Sequence, residues 1–431
     1  MPFARLSLAL ALALAAGRAA ADDGWTIHFQ ATGVEQWHYA FPSPYAGPNS
    51  LEGTTTEDEH TWTATLFLGR ALWPGAAIFY NPEETQGNGL SGTEGVAAFP
   101  NGEATRAGSA TPLYDTARLY LQQVIPLTGE TQPQDDDDNT LAGPVATRRL
   151  TFYLGRYAVT DFFETNAYSD DPRTQFLNWA LMYDGAYDYP ADTKGYTDGF
   201  TATLTYPSFT LSYGIFMEPL YANGLKLDPH FDRAYGQILE WDQKYTWGGW
   251  AGNLRSFVYL NRADMGSYSE AIADPAADLN IELTRAYRSK YGAGLSWDQE
   301  IAPDLGAFLR ASWDDGHTES WAFSEIDQSA SAGLSADGKA WGRAGDTFGL
   351  AGIVDGLSPA HREYLADGGI GFIIGDGRLD YGPEEILETY YSWKVCRWLW
   401  LSPDYQYVEH PAYNRDRGGV AIYAVRAHLH F

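Results

Sequence analysis

Residues 423–431 read Tyr423-Ala424-Val425-Arg426-Ala427-His428-Leu429-His430-Phe431. Tyr423, Val425, Ala427, Leu429 and Phe431 fall on one side of this run, and Arg426, His428 and His430 on the other. A period of two is that of a β-strand with one apolar and one wet face. A chain that ends inside such a strand must pair it with a neighbour. The terminal aromatic then points to the closing strand of an outer-membrane barrel, whose strands alternate apolar-out and polar-in.

The opening of the chain agrees with export. Arg5 supplies a positive region, Leu6 to Ala16 an apolar stretch, and Ala19-Ala20-Ala21 a small-residue cleavage site before Asp22, the pattern of a secretory signal peptide. Residues 1–21 are therefore set apart, and 22–431 is expected to form one barrel domain. The apolar stretch is too short for a spanning helix, and nothing after Asp22 approaches the roughly 20 apolar residues one needs. A mature chain that crosses a membrane must do so with strands.

Composition fits a barrel wall. Aromatic residues make up 15% of the chain and glycine contributes 45 residues, yet the mean hydropathy is only −0.33. Aromatic girdles around a thin apolar band, with a polar lumen and polar loops, give this balance. Without Arg5 and Arg18, the 28 basic residues become 26 against 56 acidic ones, a net charge of −30. That charge repels nucleic acid and favours cations over anions. The single cysteine, Cys396, excludes an intramolecular disulfide framework.

Along the chain, strand-like runs are separated alternately by tight turns and by long polar segments. Thr61 to Leu72 places Trp62, Ala64, Leu66 and Leu68 on one face and Thr61, Thr63, Thr65 and Phe67 on the other, then turns at Trp73-Pro74-Gly75-Ala76. Further turns are expected at Pro207-Ser208, at Ala302-Pro303-Asp304, and between Arg397 and Pro403 before a strand from Asp404 to His410. The long stretches Asn81 to Pro112, Asp161 to Asp198 and Gly356 to Pro383 are expected to be extracellular loops, some folded into the pore. About 16 strands of about 10 residues fit the mature length with enough left for these loops. The expected fold class is all-β, an antiparallel transmembrane barrel of about 16 strands.

Several blocks carry a family likeness. The segment Leu401-Ser402-Pro403-Asp404-Tyr405-Gln406-Tyr407-Val408-Glu409-His410-Pro411, with Asn414-Arg415-Asp416-Arg417-Gly418 and the strand to Phe431, resembles the ending of carbohydrate-selective outer-membrane porins of the OprB type. Gly155-Arg156-Tyr157, Asp161-Phe162-Phe163 with Asn166, Asp171-Pro172-Arg173-Thr174-Gln175-Phe176, and Glu388-Thr389-Tyr390-Tyr391 are similar to other blocks of that family. The likeness runs from about Phe79 to Phe431. It implies a 16-stranded barrel in the outer membrane of a Gram-negative bacterium that passes mono- or oligosaccharides by diffusion, without catalysis.

A sugar presents hydroxyls around a ring with apolar C–H faces. A selective pore therefore needs aromatic planes, arginine forks and carboxylates that replace water and still release the sugar. In the first long segment Glu94, Asn101, Glu103 and Arg106 are candidates for an inward-folded constriction. In the second, Asp161, Asn166, Asp171, Arg173 and Trp179 would line the same narrowing, with Asp171 and Arg173 alternatively bracing the loop as an ion pair. Arg118 and Arg156 lie in strand-like runs, where the cost of a lipid-facing arginine directs each into the lumen. Outer-membrane lipid, and the barrel assembly machinery reading the strand that ends at Phe431, are the remaining expected partners.

Other motifs carry less. Gly87-Asn88-Gly89-Leu90-Ser91-Gly92 matches a dinucleotide fingerprint but lacks the strand before it and the helix after it. Asp135 to Asp138 with Asn139 resembles a calcium loop, but Thr140 stands where the turn glycine belongs and Ala146 where the closing Glu would be, so a solvated charge run is expected. His428 and His430 share a strand face without a third ligand evident from sequence, and no Gly-x-Ser-x-Gly elbow occurs. No cofactor, metal or catalytic residue is expected. The competing readings are a barrel enzyme acting on lipid or polysaccharide and a soluble secreted sugar-binding β-protein.

Overall fold

The computed structural model describes residues 24–104 and 108–431, so the expected signal peptide and Arg106 lie outside the described residues. In chain order the strands are β1 (Trp25–His38), β2 (Glu57–Ala71), β3 (Ala76–Gly87), β4 (Ser109–Pro126), β5 (Thr131–Gln134), β6 (Gly143–Ala146), β7 (Arg149–Tyr157), β8 (Thr197–Thr205) and β9 (Phe209–Phe216). They continue as β10 (Tyr235–Trp247), β11 (Trp250–Met265), β12 (Ala286–Ala302), β13 (Leu305–Asp314), β14 (Gln328–Asp337), β15 (Thr347–Gly356), β16 (Glu384–Cys396), β17 (Leu399–Glu409) and β18 (Val420–His430). Sixteen of them close into one barrel, and β5 and β6 form a separate hairpin between β4 and β7.

Closure is made by the two ends of the chain. β1 pairs antiparallel with β18, Gln30 facing His430 and Trp37 facing Tyr423. Phe29 and Phe431 exchange both backbone hydrogen bonds, at 2.9 and 3.0 Å. A closed sheet leaves no open edge, which is what a hydrocarbon environment demands of a β structure.

The alternation read from sequence sets the faces. In β18 Val425 is exposed while Arg426 and His428 are buried inside, and in β2 Thr61, Thr63, Thr65 and Phe67 point inward. Outside, an apolar band that includes Leu154, Leu239, Val258 and Leu309 lies between exposed aromatics. Trp73, Trp247 and Trp398 sit at one end, and Tyr39, Tyr114 and Tyr407 at the other. This is the girdled exterior of a transmembrane barrel.

One end of the barrel has short turns at 72–75, 206–208, 248–249, 303–304 and 397–398, while long segments such as 88–104, 158–196 and 357–383 emerge at the other. Two boundaries differ from the sequence reading. The turn expected from Arg397 to Pro403 is only Arg397-Trp398, because β17 already starts at Leu399 and carries Pro403. Its ladder with β16 passes from Asp404 to Leu401, skipping Ser402 and Pro403, so the missing proline N–H interrupts the pairing without ending the strand. Residues 81–87 likewise belong to β3, with Pro82 at a register shift, so the inward loop starts only at Asn88 and its described part runs over 88–104. The acidic run 135–138 forms the tip of the β5–β6 hairpin, with Asp135, Asp136 and Asp137 exposed as expected and Asp138 half-buried.

The lumen is filled by the long segments. Trp179, Leu181 and Met182 from segment 158–196 pack in the interior with Phe99 from the segment after β3 and Phe323 from segment 315–327, while Leu177 packs with Val34 and Ala424 of the wall. Buried charges pin these segments to the wall. Glu388 of β16 accepts the Leu177 and Asn178 N–H groups at 2.6 and 3.0 Å, and Glu384 accepts those of Ala97 and Ala98 at 3.1 and 2.8 Å. Arg310 of β13 donates to Glu164 at 2.6 Å and to the Leu181 carbonyl at 2.8 Å, while Arg426 of β18 donates to the Pro172 and Gln175 carbonyls at 2.5 and 2.6 Å. Each such charge-assisted bond is worth about 1.5–3 kcal/mol, so segments whose only regular structure is short helical turns hold a fixed shape.

Candidate functional site

The inward faces of β2, β3, β4 and β7 build one polar wall, and segment 158–196 folds against it. Arg173 comes from that segment. Its Nη2 donates to Glu83 Oε2 at 3.1 Å and its Nε to Glu103 Oε2 at 3.0 Å. Both carboxylates are anchored from behind: Thr65 donates to Glu83 at 2.7 Å and Thr63 to Glu103 at 2.6 Å. Tyr196 donates its hydroxyl to the other Glu83 oxygen at 2.7 Å.

A second tier lies beside the first. Arg118 grips Asp161 with two bonds, Nε to Oδ2 at 2.7 Å and Nη2 to Oδ1 at 2.5 Å, and Asp161 also accepts the Ala158 N–H at 3.1 Å. Arg156 pairs with Asp192 and donates to the Thr116 carbonyl at 3.0 Å. The guanidiniums of Arg118 and Arg156 lie 5.6 and 5.9 Å from the Tyr196 ring centroid, close enough for cation–π attraction. Lys194 pairs with Asp115 at the end of this row. Gly155 makes the crowding possible. Its φ is +136°, and a Cβ there would fall 2.3 Å from the Leu119 carbonyl oxygen, so only glycine lets β7 press against β4 just before Arg156.

Arg118 and Arg156 thus face the lumen, as the cost of burying arginine in lipid requires. The structure also brings Glu103, Asp161 and Arg173 to this wall, with Asn101 behind it, bonded to Thr61 at 3.0 Å and to the Glu103 N–H at 3.0 Å. Other candidates sit elsewhere. Glu94 is half-buried in segment 88–104, where burial raises its carboxyl above the ordinary value. Asn166 bonds Ser296 of β12 at 3.1 Å. Asp171 braces its own turn by accepting the Arg173 N–H at 3.0 Å and the Thr174 hydroxyl at 3.1 Å, while the Arg173 guanidinium goes to the glutamates instead of to Asp171. Trp179 packs at tilted ring angles against Phe99 and Phe323, with centroids 4.9 and 4.8 Å away, in the packing of the loops.

Glu83 and Tyr196 were not among the candidates. Glu83 had a signal: Phe79, Asn81, Glu83 and Thr85 alternate with the outward Ile78, Tyr80 and Pro82, a strand with a polar inner face. Tyr196 sits one residue before β8 and had none. Beyond Arg173 a cavity of about 310 Å³ is lined by Thr174, Thr347, Ser392, Trp400, His428 and His430, at the lower end of the roughly 300–1,000 Å³ range of small-molecule sites.

A closed sixteen-strand barrel with a girdled exterior, an ionised inner wall and loops packed into its lumen defines a substrate-selective pore. The family model described as carbohydrate-selective porin, OprB family, matches residues 54–431. The chain belongs to that family and is an outer-membrane porin for carbohydrates, a multi-pass β-barrel. Its structure is similar to the high-pH structure of OprB from Pseudomonas putida, with a TM-score of 0.72 and 15% identity over 95% of each chain. OmpT of Vibrio cholerae in its trimer form is also similar, with a TM-score of 0.48 and 11% identity over 95% of this chain and 100% of the other. The DcaP channel of Acinetobacter baumannii matches with a TM-score of 0.49 and 9% identity over 95% and 98%. Comparison with curated proteins gave no match.

Proposed function

We propose that mono- and oligosaccharides diffuse passively along the wall made by Glu83, Glu103, Arg118, Asp161, Arg156, Arg173 and Tyr196, and that the protein performs no covalent chemistry. The observation that carries this reading is the mutual pairing of the wall. Arg118, Arg156, Arg173 and Lys194 face Asp161, Asp192, Glu83, Glu103 and Asp115. A passing hydroxyl finds donors and acceptors at every step, but it must compete with bonds that the wall already makes. Binding is therefore weak and release fast, which is what conduction needs. Pairing also removes most of the local field, so the wall suits neutral solutes better than ions.

In this reading the outer face contacts membrane lipid, and β18 is the strand that the barrel assembly machinery reads. Liposome swelling tests the substrate class. Neutral hexoses and short oligosaccharides should enter faster than sugar acids of the same size. Equal or faster entry of the acids would contradict a wall tuned to neutral sugars.

A further inference from the structure

The β5–β6 hairpin does not hang free of the barrel. Its tip enters the mouth at the turn end, where Asn139 and Asn81 exchange two side-chain hydrogen bonds at 2.8 and 3.0 Å and Thr26 donates to the Asp137 carbonyl at 3.3 Å. There the acidic tip meets the lumen side of the closing seam. His430 Nε2 lies 3.1 Å from Asp138 Oδ1, and His28 Nε2 lies 3.2 Å from Asp136 Oδ2. The buried His28 Nε2 makes no directed hydrogen bond.

The two imidazoles are placed by the barrel itself. Gln30 is the register partner of His430, so His28 sits diagonally across the seam on the same face, and the two rings stack nearly parallel, 6.1 Å between centroids at 12°. One ligand atom from each of His28, Asp138 and His430 falls within 4.8 Å of the other two. Two imidazole nitrogens and a carboxylate oxygen, with Asp136 beside them, form a donor set suited to zinc and similar borderline cations. They are a poor set for calcium or magnesium, which prefer all-oxygen shells.

From these placements we propose a zinc-class divalent cation site formed by His28, His430 and Asp138, which clamps the hairpin tip across the mouth of the pore. A tetrahedral site with bonds of about 2.0–2.1 Å separates its donors by roughly 3.3 Å. His430 Nε2 and Asp138 Oδ1 already lie 3.1 Å apart and all three donors fall within 4.8 Å, so small side-chain shifts complete the site and tie the tip to the seam. His430 also lines the cavity below Arg173, so the clamp narrows the passage on that side.

Zinc titration of the full-length barrel in detergent, by isothermal calorimetry, together with single-channel recording with and without zinc, tests the proposal. The wild type should bind one equivalent with micromolar affinity and lose conductance, with no response to magnesium at the same concentration. Asp138→Asn, a change in a loop that leaves every strand intact, and His430→Ala should each weaken binding at least tenfold. His230→Ala, in the loop at the opposite end, should leave binding unchanged. The absence of zinc binding in the wild type, or unchanged affinity in both Asp138→Asn and His430→Ala, would overturn the site. Binding that leaves the conductance unaltered would overturn the clamp.

Discussion

The guanidinium of Arg173, carried on a loop, is held between Glu83 of β3 and Glu103 of a second loop, and its Nη2 lies 3.1 Å from Oε2 of Glu83. Ninety residues separate the pair, so the contact exists only because the barrel is closed and the loop is folded into it. Arg173→Ala removes a fork of donors from the wall and leaves Glu83 and Glu103 buried without that cation. Sugar affinity should fall several-fold, and loss of the buried pairs should cost about 3–5 kcal/mol. Arg173→Lys should restore charge but only part of the affinity, since a point charge cannot bond both carboxylates in the plane of a fork. Current block by sugar in the three proteins, alongside their thermal unfolding, measures this. Unchanged block in Arg173→Ala would remove the residue from the path.

Ion selectivity follows from the same pairing. The net charge of the mature chain favours cations, but distant charges are screened beyond about 8–10 Å, and the local arginines are each matched by an acid. The open pore should show a weak cation preference. Asp161→Asn leaves Arg118 with an uncompensated charge and should shift the reversal potential under a salt gradient toward anions. A strongly anion-selective wild type would show that the wall is not neutralised in solution.

Phe431 is expected to matter for assembly. Its two backbone bonds to Phe29 and the ring contact at 5.5 Å complete the seam between the first and last strands. Deleting it should reduce the heat-modifiable, folded fraction in the outer membrane while export continues. Normal amounts of folded barrel would count against this role.

The loop packing should depend on pH. Burial, with the nearby Glu164 charge adding to it, holds the Asp184 carboxyl well above the ordinary aspartate value in segment 158–196. A raised carboxyl favours the packed state while it is protonated. That stability is complete below the unfolded-state value of about 3.9 and is lost as pH rises through the raised one. Segment 158–196 should accordingly become more sensitive to protease in alkaline than in acidic buffer. Asp184→Asn should flatten the dependence, and a wild type with the opposite trend would contradict the assignment.

Much of the barrel was legible because a strand wet on one side and lipid-bathed on the other must alternate. The terminal strand, the Thr61 to Leu72 face and the inward Arg118 and Arg156 all follow from that. The same rule misled where the wet face was polar enough to look like a loop, as at Asn81, Glu83 and Thr85, or where Ser402-Pro403 imitated a breaker inside β17. Within the site, Arg173 and Glu103 were visible as charges in glycine-rich segments. Their meeting was not, because it depends on anchors 200 residues away in the chain, such as Glu388, 211 positions from the Leu177 N–H that it accepts. Trp179 shows the converse: a tryptophan in a pore loop suggests a stacking platform, but the loops need a core of their own, and it supplies that.

The central claim is that neutral sugars bind, weakly and reversibly, inside this channel. Single-channel conductance in a planar bilayer, titrated with mono- and oligosaccharides, tests it most directly. A stable open current that falls with added sugar, half-saturating in the millimolar range that corresponds to about 4 kcal/mol, is the expected result. A channel whose current no mono- or oligosaccharide reduces would contradict sugar binding in the lumen while leaving the barrel as described.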